Sequence, residues 1–190
     1  TYRFNAAYYL MNWQDMQTAV YDRDLATIQF NTNIGDAKIT GIELDWTIIT
    51  DNGLTVAIAG AFTNPKLEEN FILDGEILAT PGTQLANVAK QKYSLSFNKD
   101  FNVMGRDGFW DLNLSRTGSR PSSVTNPISQ PGYTTSSFSS TFLGENWDGV
   151  FYVDNILDGR AVIWEYQGFR PETKFTNRPR EIGIRIKYKL

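Results

Sequence analysis

The sequence contains no histidine and no cysteine. The first absence removes the side chain that most often serves as general base or metal ligand near neutral pH. The second excludes disulfides and thiolate metal sites. No run approaches the ~18 consecutive apolar residues of a membrane-crossing helix, which excludes a helical span. It does not exclude a membrane barrel, whose strands are only half apolar and average out as polar. Net charge is only -3 with a pI near 5.0, and no basic patch suited to nucleic acid is present. Nucleophile–base pairs, phosphate-cradling Gly loops and EF-hand or repeat-type calcium loops are also missing, so no catalytic site, metal or cofactor is expected. No signal peptide opens the chain. Thr1-Tyr-Arg-Phe-Asn-Ala-Ala-Tyr-Tyr-Leu-Met starts inside an alternating strand, and the expectation is a piece of something longer.

What the chain does have is aromatics. Trp, Tyr and Phe make up 14% of residues although mean hydropathy is -0.35. It also has strict alternation, clearest at the end: Ile182, Ile184, Ile186, Tyr188 and Leu190 alternate with Gly183, Arg185, Lys187 and Lys189. Side chains alternate faces along a strand, so one face is greasy and the other cationic. A soluble sandwich would bury such a face against a second sheet, whereas a membrane barrel would turn it to lipid.

The same period of 2 runs through the chain, and no segment reads as helix. A first strand covers about Tyr2 to Asn12, with Phe4, Ala6, Tyr8 and Leu10 on one face. A second follows the turn Trp13-Gln-Asp-Met16, through Thr18, Val20 and Asp22. The third, Lys38 to Ile49, sets Ile42, Leu44, Trp46 and Ile48 against Glu43, Asp45 and Thr47. Asp51-Asn-Gly53 is a strong hairpin signal, and the fourth strand follows with Leu54, Val56, Ile58 and Phe62. The fifth carries Tyr93, Leu95 and Phe97, and the sixth Trp110, Leu112 and Leu114. A Ser/Thr-rich seventh spans about Tyr133 to Leu143, an eighth Val150 to Ile156, and the closing stretch makes about nine.

Connections between these strands alternate in length. Short turns fall near 13–16, 50–53, 102–107 and 144–148, and long ones near 23–36, 65–90, 118–131 and 158–178. An up-and-down sheet would then carry every short turn at one end and every long loop at the other, as outer-membrane barrels do. Trp13, Phe101, Trp110, Trp147 and Tyr188 are expected near the short-turn end, where an interfacial aromatic girdle belongs.

Four stretches resemble the C-terminal part of the barrel of TonB-dependent outer-membrane receptors. Asn33-Ile-Gly-Asp-Ala-Lys-Ile-Thr-Gly-Ile-Glu-Leu-Asp45 is similar to that family's "NAG-A-I-G-ELE" strand. Gly82-Thr-Gln-Leu-Ala-Asn-Val-Ala-Lys90 is similar to the lead into its next strand, with Ala89 where Pro is usual. Phe151-Tyr-Val-Asp-Asn-Ile-Leu-Asp158 resembles its "YVDNLFD" strand end. Pro179 to Leu190 resembles its closing strand, with Leu190 where an aromatic is usual. The resemblance implies an all-β, antiparallel, up-and-down transmembrane β-barrel fragment, with residues 1–190 forming the C-terminal part of a barrel of roughly 22 strands. It implies active uptake of a scarce nutrient (siderophore, cobalamin or oligosaccharide class) across the Gram-negative outer membrane, with no covalent chemistry. The implied partners are outer-membrane lipid, the receptor's own plug domain, TonB, and the ligand. A passive porin and a soluble β-sandwich carbohydrate-binding module are the competing readings.

Glu43 and Asp45 share a strand face about 7 Å apart. They read as solvated lumen carboxylates rather than a catalytic pair, and Arg185 and Lys187 as lumen cations. In the last long loop Trp164, Tyr166, Phe169 and Arg170 are the candidate ligand contacts, since aromatics beside Arg can stack on and hydrogen-bond a ligand.

Overall fold

A computed structural model describes residues 1–21, 29–125, 127–165 and 173–189. Those residues form strands and connections only. In chain order, β1 (Tyr2–Trp13) is followed by the small pair β2 (Gln17–Tyr21) and β3 (Gln29–Asn33). Next come β4 (Ala37–Ile49), β5 (Leu54–Leu67), the short β6 (Phe71–Leu73) and β7 (Glu76–Ala79), then β8 (Gln91–Val103) and β9 (Arg106–Thr117). The two-residue β10 (Arg120–Pro121) and β11 (Ser129–Gln130) precede β12 (Tyr133–Leu143) and β13 (Trp147–Asp154). The chain ends with β14 (Val162–Glu165), β15 (Lys174–Thr176) and β16 (Glu181–Tyr188).

Eight of these strands make one antiparallel sheet in the order β1-β4-β5-β8-β9-β12-β13-β16, and β1 and β16 do not meet. The other eight form four separate two-stranded hairpins, β2-β3, β6-β7, β10-β11 and β14-β15.

Register joins the sequence alternation across the whole sheet. One row reads Tyr2, Ile48, Val56, Phe97, Leu112, Phe138, Val153 and Ile182, one residue from each strand. The adjacent row, on the opposite face, reads Arg3, Thr47, Ala57, Ser96, Asn113, Ser137, Asp154 and Glu181. A one-residue slip anywhere would exchange the two faces, so the alternation enforces the register. Among the described residues nothing covers the apolar face: Phe4 is 58% exposed and Ile184 74%.

The second strand of the sequence reading does not enter this sheet. β1 pairs directly with β4, from Tyr2↔Ile48 to Trp13↔Ala37, and β2 pairs only with β3. Length explains it. Five residues span about 17 Å, too short for the ~25 Å apolar band that a wall strand must cross at a tilt. The stretch 14–36 is therefore a single long connection, and Asp22 lies outside the described residues, as does Leu190. Trp13 consequently stands at the long-connection end and on the polar face. The alternation itself survives: long connections leave β1, β5, β9 and β13 at one end, and short turns leave β4, β8 and β12 at the other. Phe101, Trp110, Trp147 and Tyr188 do cluster at the short-turn end on the apolar face, with Trp147 directly opposite Tyr188.

The short turns have local causes. Met104 and Gly105 both take positive φ, +54° and +75°, as a two-residue type I′-like hairpin requires. The Asn102 side chain accepts from Gly105 N–H at 3.2 Å and donates to Asp107 at 2.8 Å across the strand ends. At the other end the long connections supply the only buried apolar cluster among the described residues. Val20, Ile34, Phe71, Ala79, Leu85 and Val124 pack with Ala37 and Leu67 of the wall. Ala37 and Leu67 face each other on the polar side, so the hairpins fold over that face at its rim.

Candidate functional site

The polar face and the rim that the hairpins build carry the candidate site residues. Glu43 and Asp45 both lie on that face, as do Arg185 and Lys187. Their surroundings differ from simple cation pairing. Asn5, directly opposite Asp45, donates its amide N–H groups to both carboxylate oxygens at 3.0 Å. The arrangement recurs as Asn98 to Asp111 at 2.7 Å. Arg185 lies over the Tyr152 ring at 5.4 Å, and the Tyr152 hydroxyl donates to Glu181 at 3.1 Å. Lys187 is directly opposite Asp148, but it is Lys189 that reaches the carboxylate, at 2.8 Å.

Small side chains on β5 (Ala57, Ala59, Ala61) leave room on this face. A groove of about 570 Å³ runs up to the rim, lined by Tyr9, Met11, Ile39, Val88 and Ala89, with Glu43 and Lys92 on either side of Ala61. It offers aromatic, apolar, anionic and cationic contacts, the mix that binding grooves present.

Of the loop quartet, Trp164 is described; Tyr166, Phe169 and Arg170 lie outside the described residues. Trp164 sits on β14, with its ring centroid 5.2 Å from Phe175 of β15. Phe175 was missed in the sequence, where only its position in a short alternating stretch signals it. Glu165 and Lys174 close the same hairpin with a 3.6 Å ion pair.

Two further residues organise this end, and neither is marked by composition. Arg120, 7% exposed, donates to the carbonyls of Val162 and Ile163 and lies over the Tyr133 ring at 5.4 Å, pinning two long connections together. Asn155, at φ +50°, donates to the carbonyls of Gly159 and Arg178, each at 3.0 Å, so the connection from β13 returns to β16. Asn tolerates this left-handed backbone better than most residues. Among the described residues no three His, Cys, Asp or Glu side chains gather as a metal site.

A family model, "TonB dependent receptor-like, beta-barrel", matches residues 1–156. Solved structures share the fold. The ferric yersiniabactin uptake receptor FyuA of Yersinia pestis aligns over 97% of this chain and 27% of its own, at 21% identity and a TM-score of 0.76. The siderophore receptor PiuA of Acinetobacter baumannii aligns over 97% and 25%, at 16% identity and 0.68. The FrpB iron transporter of Neisseria meningitidis (F5-1 variant) aligns over 99% and 29%, at 13% identity and 0.69. The chain thus spans between 25% and 29% of the length of each of these proteins. No curated protein matches it.

Proposed function

The chain belongs to the TonB-dependent receptor-like β-barrel family, and from that membership we propose that it forms the C-terminal barrel wall of an outer-membrane nutrient importer. The observation that carries this is the uncovered apolar face, continuous across eight strands and backed by a polar one. A soluble sandwich would lose about 25 cal/mol for every Å² of that face left in water, whereas lipid accommodates it. With roughly 22 strands in the closed wall, the polar face becomes lumen. Glu43, Asp45, Arg185 and Lys187 then face the plug domain and the passing ligand.

The long connections lie at the extracellular mouth, where Trp164, Tyr166, Phe169 and Arg170 contact the ligand. A ferric siderophore is the ligand class this reading favours, because the structures of like fold are iron-uptake proteins. Energy reaches the receptor through TonB, and the ligand crosses intact.

The test is uptake of iron-55 siderophores by cells that carry or lack the full-length receptor, each with and without TonB. Uptake that needs both supports the importer. Uptake that needs the receptor but not TonB makes it a passive porin, and a protein that fractionates with the soluble phase returns the sandwich reading.

A further inference from the structure

On the apolar face the register sets Lys38 directly opposite Lys66, with Asn12 and Gln84 on either side of the pair. Like charges directly across two strands repel. Among the described residues neither lysine has a carboxylate within ion-pair distance, and both are half-buried. Just beyond the two strand ends lie Asp36 and Glu68, with the Glu68 N–H donating to the Asp36 carbonyl at 2.8 Å. Asp36 already accepts the backbone N–H of Asp15 at 3.0 Å. Neither lysine therefore makes a direct ion pair among the described residues, and the two ammonium groups form a local positive site flanked on its outer side by Asp36 and Glu68.

Its height and neighbours are equally specific. Lys38 and Lys66 stand about eleven and twelve residues from the short turn that joins β4 to β5. That is roughly 38 Å along the strands and, at a tilt near 45°, roughly 27 Å across a bilayer, the far edge of the apolar band. Just inside this edge a groove of about 350 Å³ is lined by Tyr8, Ile42 and Phe62, with Thr40 and Asn64 between them and the lysines.

We infer that this is a lipid site. The phosphate of an anionic lipid, in the leaflet on the long-connection side, is held between the two ammonium groups, and an acyl chain lies along Tyr8, Ile42 and Phe62. The inference rests on the apolar face being lipid-facing, as in the proposed function, and is separate from nutrient binding. The two Cβ atoms are about 5 Å apart, so the four-carbon stems can bring both ammonium groups to one phosphate. Cross-strand repulsion is then replaced by two charge-assisted hydrogen bonds. Lysines that only snorkel to the interface would not discriminate between headgroups in this way.

The experiment is native mass spectrometry of the full-length receptor in a neutral detergent. The receptor is titrated with dioleoyl phosphatidate, dioleoyl phosphatidylcholine and inorganic phosphate. Phosphatidate is expected to bind at least about tenfold more tightly than phosphatidylcholine, with inorganic phosphate not competing. Lys38→Gln or Lys66→Gln should each remove most of that preference. The double Lys→Arg variant should keep it, as should Lys99→Gln near the opposite end of the apolar face. Equal affinity for the two lipids, or an undiminished preference in K38Q/K66Q, overturns the site. Displacement by inorganic phosphate overturns its assignment to lipid. Failure of the barrel reading shows separately, as a receptor that stays in solution without detergent.

Discussion

Gly183 shows what a single residue contributes to this wall. A Cβ placed there would lie 2.5 Å from the Tyr152 ring, which packs flat against the glycine directly opposite it; Gly41 receives Tyr9 in the same way. The flat ring is also what lets Arg185 stack on it and the hydroxyl reach Glu181. Gly183→Val would push the ring away and break both contacts. The expected cost is about 1–3 kcal/mol, read from urea unfolding of the full-length receptor in lipid. Tyr152→Phe, which removes only an exposed hydrogen bond, should cost less than about 1 kcal/mol. Alternation alone puts Tyr152, Glu181 and Arg185 on the polar face. Only register shows that Tyr152 is opposite Gly183 rather than a bulky residue.

Among the elements, the described part of the connection between β13 and β16 is held by specific polar contacts. Asp158 accepts the Arg180 backbone N–H at 2.9 Å and lies 3.6 Å from its guanidinium. That backbone hydrogen bond, followed by the charges of Arg180 and Arg160, holds the Asp158 carboxyl below its usual pKa. A depressed carboxylate stabilises the folded loop above its unfolded pKa, near 3.9, and that stabilisation is lost as pH falls through the lower folded value. Hydrogen exchange at the Arg180 amide, corrected for intrinsic rate, should therefore lose protection as pH drops from 5 toward 2. In Asp158→Asn, which keeps an acceptor without the charge, the pH dependence should disappear.

At this scale the sequence was legible where strands are long. The twelve- and thirteen-residue β1 and β4 were both visible from their period. The five-residue β2 has the same period, yet its length, not its pattern, excludes it from the wall. The hairpins β6-β7 and β14-β15 were hidden because three or four residues carry too little alternation to stand out.

As a whole, the eight-stranded sheet is open, with β1 and β16 each leaving a row of unpaired backbone groups along one edge. Such edges are unfavourable in lipid, where every N–H and C=O needs a partner. Residues 1–190 expressed alone are expected to give no SDS-resistant, heat-modifiable band on a gel, whereas the full-length receptor gives one. A resistant band from the short chain would mean that eight strands had closed on themselves. Apolar burial follows the same logic, because the only substantial core among the described residues lies under the hairpins at the rim.

By itself, the sequence determined the strand period, the two contrasting faces and the alternation of short and long connections. All three depend on covalent geometry and local turn chemistry, which act within a few residues. Tertiary structure alone decided that β1 bypasses β2 to pair with β4 and that Trp13 stands at the opposite end from the girdle. It also decided that Asp45 is met by Asn5 and that Lys38 confronts Lys66. Each of these depends on which distant residue lies across a strand pair. That choice is made by the summed burial and hydrogen bonding of whole strands rather than by any local signal.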